Sequence, residues 1–341
     1  MKKYLLPESG NFYKANLHCH SSFSDGRLTP EEIKKHYMAH GYSIVAYTDH
    51  DIMIPHDELA EENFLPLHGY EMEVNEIWNY DFSLVKTCHM CLIALEPDHL
   101  KQVCWHRNNY LFGNAPNYQD QVQFDPNEPD YVRTYTPECI SDMMKKGRDH
   151  GFFVTYNHPI WSMEDYRQYC NYHNMHAMEI CNYGCMVEGY DDYVPAIYDE
   201  MLRSGKRIYC IAADDNHNHA DLEGPYNDSF GGFTMIKADK LDYRTITRAL
   251  ENGHFYASQG PEIKELWYEN GELHIVCAPV ESIVFTFGTR RTEAFRASNG
   301  ECLTYAHIPV AENSIYVRVT VTDENGKHAN TNAYFVDELN Q

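Results

Sequence analysis

From residue 12 to about 260, short apolar runs alternate with amphipathic stretches, and this alternation restricts the fold more than any other feature of the chain. The candidate strands are 16–20, 43–48, 65–70, 90–95, 152–156, 177–181 and 208–213. Between them, Thr29-Pro30-Glu31-Glu32 opens a helix with a capping threonine, proline at the first helical position and acids in the first turn. Residues 137–150 read as a second helix, stopped by Gly151, and 243–251 as a third. Alternating strands and helices predict an α/β fold with a mainly parallel sheet. About seven such units predict a barrel.

Two segments break the rhythm. Residues 97–136 hold Trp105, Tyr110, Phe112, Tyr118, Phe124, Tyr131 and Tyr135 among Pro and Asn. A connection of that length without its own periodicity predicts an insertion or lid packed over a pocket. After Gly260-Pro261 the period becomes two: 265–269, 272–277, 282–287 and 314–322 alternate, joined by Asn-Gly and Gly-Thr turns. Ile315, Val317, Val319 and Val321 read as one apolar face. The expected organisation is therefore a barrel over 1–260 and a small antiparallel β-sandwich over 261–341.

Composition narrows the function. A formal charge of −24 repels a nucleic-acid backbone, so a DNA or RNA partner is not expected. No run approaches the ~18 apolar residues of a membrane helix. Residues 1–10, broken by Pro7 and Glu8, do not read as a signal peptide, so the expected compartment is the cytoplasm. The 11 cysteines have no framework spacing and read as reduced thiols. Cys88 and Cys91 form a lone C-x-x-C, read as structural. The 20 histidines far exceed the roughly 2% usual in proteins and suggest metal binding.

Position decides which histidines matter. In NLHCHSSFSDG (16–26), His18 and His20 share one face of a strand, and Asp25 follows in a Ser-Asp-Gly turn. The apolar run 45–47 ends in Thr48-Asp49-His50-Asp51, and another run ends in Gly69-Tyr70-Glu71. Two more end in Asn157-His158-Pro159 and in Asp214-Asp215-Asn216-His217. In a parallel barrel the active site forms at the C-terminal strand ends, so five such ends carrying ligand-type residues outweigh any one alone. Asp214 and Asp215 stand side by side at the last of these ends, and the residues alone leave both open for one role. Asp49 and Asp51 either orient His50 or His20 or cap the following turn.

These motifs, in this order, resemble the polymerase and histidinol phosphatase (PHP) domain family. The resemblance spans about 14–260 and rests on HCH at 18–20, SDG at 24–26, TDHD at 48–51, GYE at 69–71, NHP at 157–159 and DNH at 215–217. Residues 231–261 look like the closing segment of a branch with a C-terminal β module, and the fold the resemblance implies is a distorted TIM-like (β/α)7 barrel with metals at its C-terminal mouth. Carried over position by position, the resemblance implies one metal on His18, His20, Glu71 and Asp215. A second would lie on bridging Glu71 with His89 and His158, and a third on Asp25, His50 and His217. His89 enters by the resemblance alone, since it begins its apolar run instead of ending it.

Two or three divalent ions (Zn, Mn or Fe) are therefore expected. Three ions bring +6, and Asp25, Glu71 and Asp215 bring −3. With a bridging hydroxide about +2 remains, which matches a phosphomonoester dianion. The expected reaction is hydrolysis of a small phosphorylated metabolite by a hydroxide held over Glu71, His20 and Asp215. His219 is a candidate acid for the leaving group or a surface residue. Arg27, Arg133, Asn157 and Trp161 are candidates to contact substrate. For the arginines the alternative is solvation, and for Trp161 it is core packing. Hydrolysis of a carboxylic ester, carbamate or amide is a second reading, and a non-catalytic metal-binding regulatory domain a third. Oligomeric state leaves no mark in the sequence.

Overall fold

The computed structural model describes residues 2–77, 81–298 and 300–340. Its first ten strands are β1 (Lys2–Tyr4), β2 (Asn11–Asn16), β3 (Ile44–Tyr47), β4 (Leu65–Asn75), β5 (Thr87–Ala94), β6 (Phe152–Tyr156), β7 (Ala177–Asn182), β8 (Tyr209–Ala213), β9 (Phe233–Ala238) and β10 (Phe255–Ser258). Eight follow: β11 (Ile263–Glu269), β12 (Glu272–Val280), β13 (Ser282–Phe287), β14 (Thr292–Arg296), β15 (Leu303–Pro309), β16 (Tyr316–Thr322), β17 (His328–Thr331) and β18 (Tyr334–Phe335). The helices are α1 (Pro30–Ala39), α2 (Pro137–Asp149), α3 (Tyr166–Tyr169), α4 (Tyr183–Glu188), α5 (Pro195–Arg203), α6 (Tyr243–Glu251) and α7 (Val336–Leu339). No helix among the described residues is long and apolar enough to cross a membrane.

The helices follow their local signals. Thr29 caps α1 through a complete capping box with Glu32, and Thr136 accepts from the Cys139 amide to cap α2. Asp242 does the same for α6 through the Thr245 amide. After α2 the chain reverses at Gly151, whose φ of +80° suits glycine.

The sheet differs from the expected barrel. One large mixed sheet runs in the order β14-β13-β16-β17-β10-β9-β2-β3-β4-β5-β6-β7-β8, with β18 on β16. It is not closed by ladders: β8 forms none with β2 or β9. Separate hydrogen bonds instead bind its rim to the segment after β2, among them the Asp215 amide to the His18 carbonyl at 3.0 Å, the His20 amide to the Asn216 carbonyl at 3.1 Å and the Arg27 amide to the His217 carbonyl at 2.8 Å. Nor is it mainly parallel in the middle. β5 runs antiparallel to both β4 and β6, and β9 antiparallel to β2. Sequence periodicity registers a buried strand but not its direction, because an apolar run looks the same either way.

A four-stranded sheet, β1-β11-β12-β15, packs against the far end of the large one. Leu266, Leu273 and Ile275 meet Ile283, Phe285, Val317, Val319 and Val321 in one core. Ile315 does not join them. It is 51% exposed with φ +64°, a left-handed residue that breaks the alternation just before β16. The module is continuous with the rest of the fold, since β17 pairs with β10. Its outer sheet also takes β1 from the other end of the chain. Asp199 on α5 fixes it further, accepting from Arg318 at 2.8 and 2.6 Å and from the Tyr316 hydroxyl at 2.8 Å, all three residues being buried.

Residues 97–136 are ordered against the rim. Ile52 and Ile54 pack with Trp105, Ala115 and Val122, and the Asn114 amide donates to the Ser24 carbonyl at 2.6 Å. Gly113 needs to be glycine, because a Cβ there would stand 2.4 Å from that carbonyl.

Candidate metal centre

The segment after β2 is extended but carries no ladder, so HCH lies beyond the strand and not within it. The bridge Cys19↔Asn216 still gives it strand-like alternation, and His18 and His20 point the same way, with Nε2 atoms 3.1 Å apart. Past β3 the chain continues beside β4, the Glu71 amide bonding Asp49 and the Asp51 amide bonding Glu71. This brings His50 to Glu71, which lies inside β4 and not at its end. β5 explains His89. Because it runs antiparallel, its N-terminal end reaches the rim that parallel strands reach with their C-terminal ends, and His89 stands opposite Glu73.

The residues expected as ligands converge there. His18 Nε2 lies 3.1 Å from Glu71 Oε1 and 3.1 Å from Asp215 Oδ1. His20 Nε2 is 3.1 Å from Asp215 Oδ1 and 3.4 Å from Glu71 Oε2. His89 Nδ1 and His158 Nε2 approach Glu71 Oε1 at 3.3 and 3.5 Å. Asp25 stands 3.7 Å from His20 and His50 and 3.4 Å from His217. Four groups of donors in this region have their ligand atoms within 4.8 Å of one another: His20, Asp25, His50 and His217; His18, His158 and Asp215; His50, Glu71 and His89; and His18, Glu71 and Cys91.

These spacings fit shared cations. Ligands 2.0–2.2 Å from one ion stand roughly 2.8–3.6 Å apart, from octahedral to tetrahedral arrangement. The tautomers point the same way. His18 Nδ1 lies 2.7 Å from Glu179 Oε1, and His217 Nδ1 3.0 Å from the Asp215 carbonyl, so each Nδ1 must donate. In the neutral rings their Nε2 atoms are then lone pairs facing carboxylates, so a proton or a metal ion must stand in between. His20 Nδ1, His50 Nδ1, both His89 nitrogens and Asp215 Oδ1 are buried with no hydrogen-bond partner among the described residues.

The titration directions express the same demand. Burial opposes a charge on His158, but Glu71 and Asp215 prevail and push it up to about 9. His18 and His20 are likewise raised against burial by their carboxylate neighbours. Burial acts against the ionised forms of Glu71, Asp215 and Asp25, yet the imidazoles hold all three down. His50 goes the other way, lowered by burial to about 3, which leaves its nitrogens free as ligands. A cation would take the place of the protons this cluster attracts.

A surrounding set of polar groups fixes the cluster. Glu179 takes the His18 ring, the His158 amide at 3.0 Å and the Asn182 side chain at 2.9 Å. Asn182 also reaches Asp215 Oδ2 at 3.1 Å. Asp49 orients neither His50 nor His20; it accepts from the amides and hydroxyls of Ser21 and Ser24 and so clamps the HCH-to-SDG loop. Asp214 turns away from the cluster, accepting from Tyr37 and from the amides of Phe230, Gly231 and Gly232. That leaves Asp215 facing it. Asp51, His158 and Asp215 all have positive φ, backbone strain placed where these chain segments turn into the rim.

Two residues considered for substrate have other work. The Arg133 side chain is buried and paired through both terminal nitrogens with Asp51, with a third bond to the Glu73 carbonyl at 2.9 Å. Its charge is thereby neutralised within the wall. Asn157 gives its amide to Glu71 Oε1 at 2.8 Å and accepts from Thr155 at 2.7 Å, so it positions Glu71. Trp161 is half-buried, its ring 5.3 Å from His89 and 5.1 Å from His158. Phe112, 48% exposed, stands 5.5 Å from His50 on the other flank. Arg27 is exposed beside the His219 carbonyl, and the exposed His219 ring lies 6.1 Å from His217. Glu73 and Glu179 escaped the sequence reading, and Cys91, read there as a structural thiol, stands beside His18 and Glu71. The signal for Glu73 and Glu179 was an acid inside an apolar strand; for Cys91 it was the period-two spacing to His89.

No protein-family model and no curated protein matches the chain. Among solved structures, it is similar over 94% of both chains to a two-domain protein containing a predicted PHP-like metal-dependent phosphoesterase from Bacteroides vulgatus, at 16% identity and a TM-score of 0.45. That description names the family the motifs resemble. An inferred metal-dependent phosphoesterase from Bifidobacterium adolescentis is 15% identical with a TM-score of 0.38, over 63% of this chain and 92% of that one. An amidohydrolase from Chromobacterium violaceum, solved with sulfate and no metal, is 17% identical with a TM-score of 0.37, over 60% and 87%. Likeness at this level leaves function to the residues themselves.

Proposed function

We propose that the chain is a metal-dependent hydrolase of a small phosphorylated metabolite. The observation that carries this reading is the buried convergence of bare imidazole nitrogens on Asp25, Glu71 and Asp215. His18, His20, Glu71 and Asp215 would hold one ion, Glu71 with His89 and His158 a second, and Asp25 with His50 and His217 a third. Zn, Mn and Fe all accept such ligands. Bound there, such ions supply Lewis acidity and an acidified water.

The chain's own residues prepare that chemistry. Asn157 fixes the Glu71 carboxylate, Glu179 fixes the His18 tautomer, and Asp49 holds the loop that presents Asp25. Phe112 and Trp161 flank the opening and would exclude water around a bound ester. Arg27, exposed beside the His219 carbonyl, would meet an anion, and His219 would give a proton to a leaving oxygen. The positive charge left after the carboxylate ligands are balanced favours an anionic phosphoryl group over a neutral carbonyl. We further infer that residues 261–341 act as a supporting module for the hydrolase part.

The test is turnover of p-nitrophenyl phosphate with added Mn²⁺. The expected result is activity in the intact chain that His20→Ala abolishes. Turnover confined to carboxyl esters or amides would replace the phosphate reading with the carbonyl one.

A further inference from the structure

We propose that Cys91 is a thiolate ligand of this centre, a tenth donor that makes one metal position soft. This rests on the metal-centre reading above. Cys91 stands directly opposite Glu71 in the β4–β5 ladder, where side chains on one face approach most closely. It shares that face of β5 with His89 two residues earlier. Its sulfur lies within 4.8 Å of donor atoms of both His18 and Glu71, all three side chains being buried. Cys88, on the opposite face of β5, lies instead among Met72, Met90 and Ile140 in the apolar core.

Two contacts separate Cys91 from an ordinary buried thiol. Asn157 Nδ2 donates to its sulfur at 3.2 Å while donating to Glu71 Oε1 at 2.8 Å, so one amide orients a known type of ligand and the sulfur together. Beside them His89, buried, keeps both ring nitrogens without a hydrogen-bond partner among the described residues, with Nδ1 3.3 Å from Glu71 Oε1. A thiol of this kind gives up its proton to solvent when its sulfur binds a divalent ion. Sulfur favours Zn²⁺ over Mn²⁺, so the chemical class expected at this position is a borderline-soft cation.

The experiment is cobalt substitution in the full chain after chelator treatment, with metal content and absorption spectrum read together. The expected result is bound Co²⁺ with a near-ultraviolet thiolate-to-cobalt charge-transfer band. That band is lost in Cys91→Ser and Cys91→Ala but kept in Cys88→Ala. The Zn²⁺ Kd of Cys91→Ser should rise at least about tenfold, as loss of a supporting group at a metal site does, with the Mn²⁺ Kd unchanged. Cobalt bound at full stoichiometry with no such band overturns the assignment of Cys91 and leaves the metal centre standing. A chain that binds no cobalt overturns both.

Discussion

Replacing Glu179 by glutamine tests whether the polar groups around the cluster hold it in its metal-ready form. Glu179 is buried and presents two acceptor oxygens to three donors: the His18 ring, the His158 amide and the Asn182 side chain. Glutamine keeps one acceptor and replaces the other with an N–H group that must face a donor. Either His18 loses the partner that fixes its tautomer, or the His158 amide is left unpaired and Asn182 keeps only its bond to Asp215. One buried donor without a partner costs about 1–3 kcal/mol. Removing the carboxylate behind a metal-bound histidine usually costs 10–100-fold in affinity, about 1.4–2.8 kcal/mol. The two ranges agree, so Glu179→Gln should weaken Zn²⁺ binding by one to two decades. Competition against a chromogenic chelator measures this directly, and denaturation with and without metal separates it from a folding defect. A Kd within twofold of the parent would refute the role given to Glu179.

Other consequences follow from the same contacts. Arg133→Ala strands the buried Asp51 carboxylate and should cost about 3–5 kcal/mol in urea unfolding, with much of that recovered by adding Asp51→Asn. Gly26→Ala would put a Cβ 2.5 Å from the His20 carbonyl, so metal content should fall, whereas Gly41→Ala, in open space at φ +77°, should lower stability by about 1 kcal/mol without touching metal content. His158 is raised from 6.5 to about 9, so the stability it gives the metal-free chain is complete below pH 6.5 and lost as pH rises through about 9. The Tm of chelated protein should therefore fall across that window, while metal affinity rises as competing protons leave. Ending the chain after Ser258 removes β17 from β10 and Arg318 from Asp199, and the product should be insoluble on expression.

Much of the candidate site was legible because ligand-type side chains gather where apolar strands give out, and a strand end leaves a mark in sequence. Thr48-Asp49-His50-Asp51 and Asp214-Asp215-Asn216-His217 both show it. The caps of α1 and the span of α6 were legible for a similar reason, since the determining residues are local. What escaped depends on strand direction and on partners far away in the chain. His89 sits at the start of its run because β5 is antiparallel, and nothing within the run records that. Arg133 resembled an anion contact until Asp51, 82 residues away, was found to hold it. Asp49 and Asp214, each beside a ligand, serve loops and not the centre, a choice made by which amides come within reach. Ile315 kept the apolar pattern but lost the face, because one left-handed residue interrupts the alternation.

The most direct measurement is diffraction from crystals grown without chelator, with data collected on both sides of the absorption edges of Zn, Mn and Fe. Two or three anomalous peaks are expected, each within bonding distance of the His18–Asp215 or Asp25–His217 donors or of the Glu71 carboxylate between them. Crystals that diffract well but show no anomalous peak among these side chains, with protons alone bridging the imidazoles and carboxylates, would contradict the account.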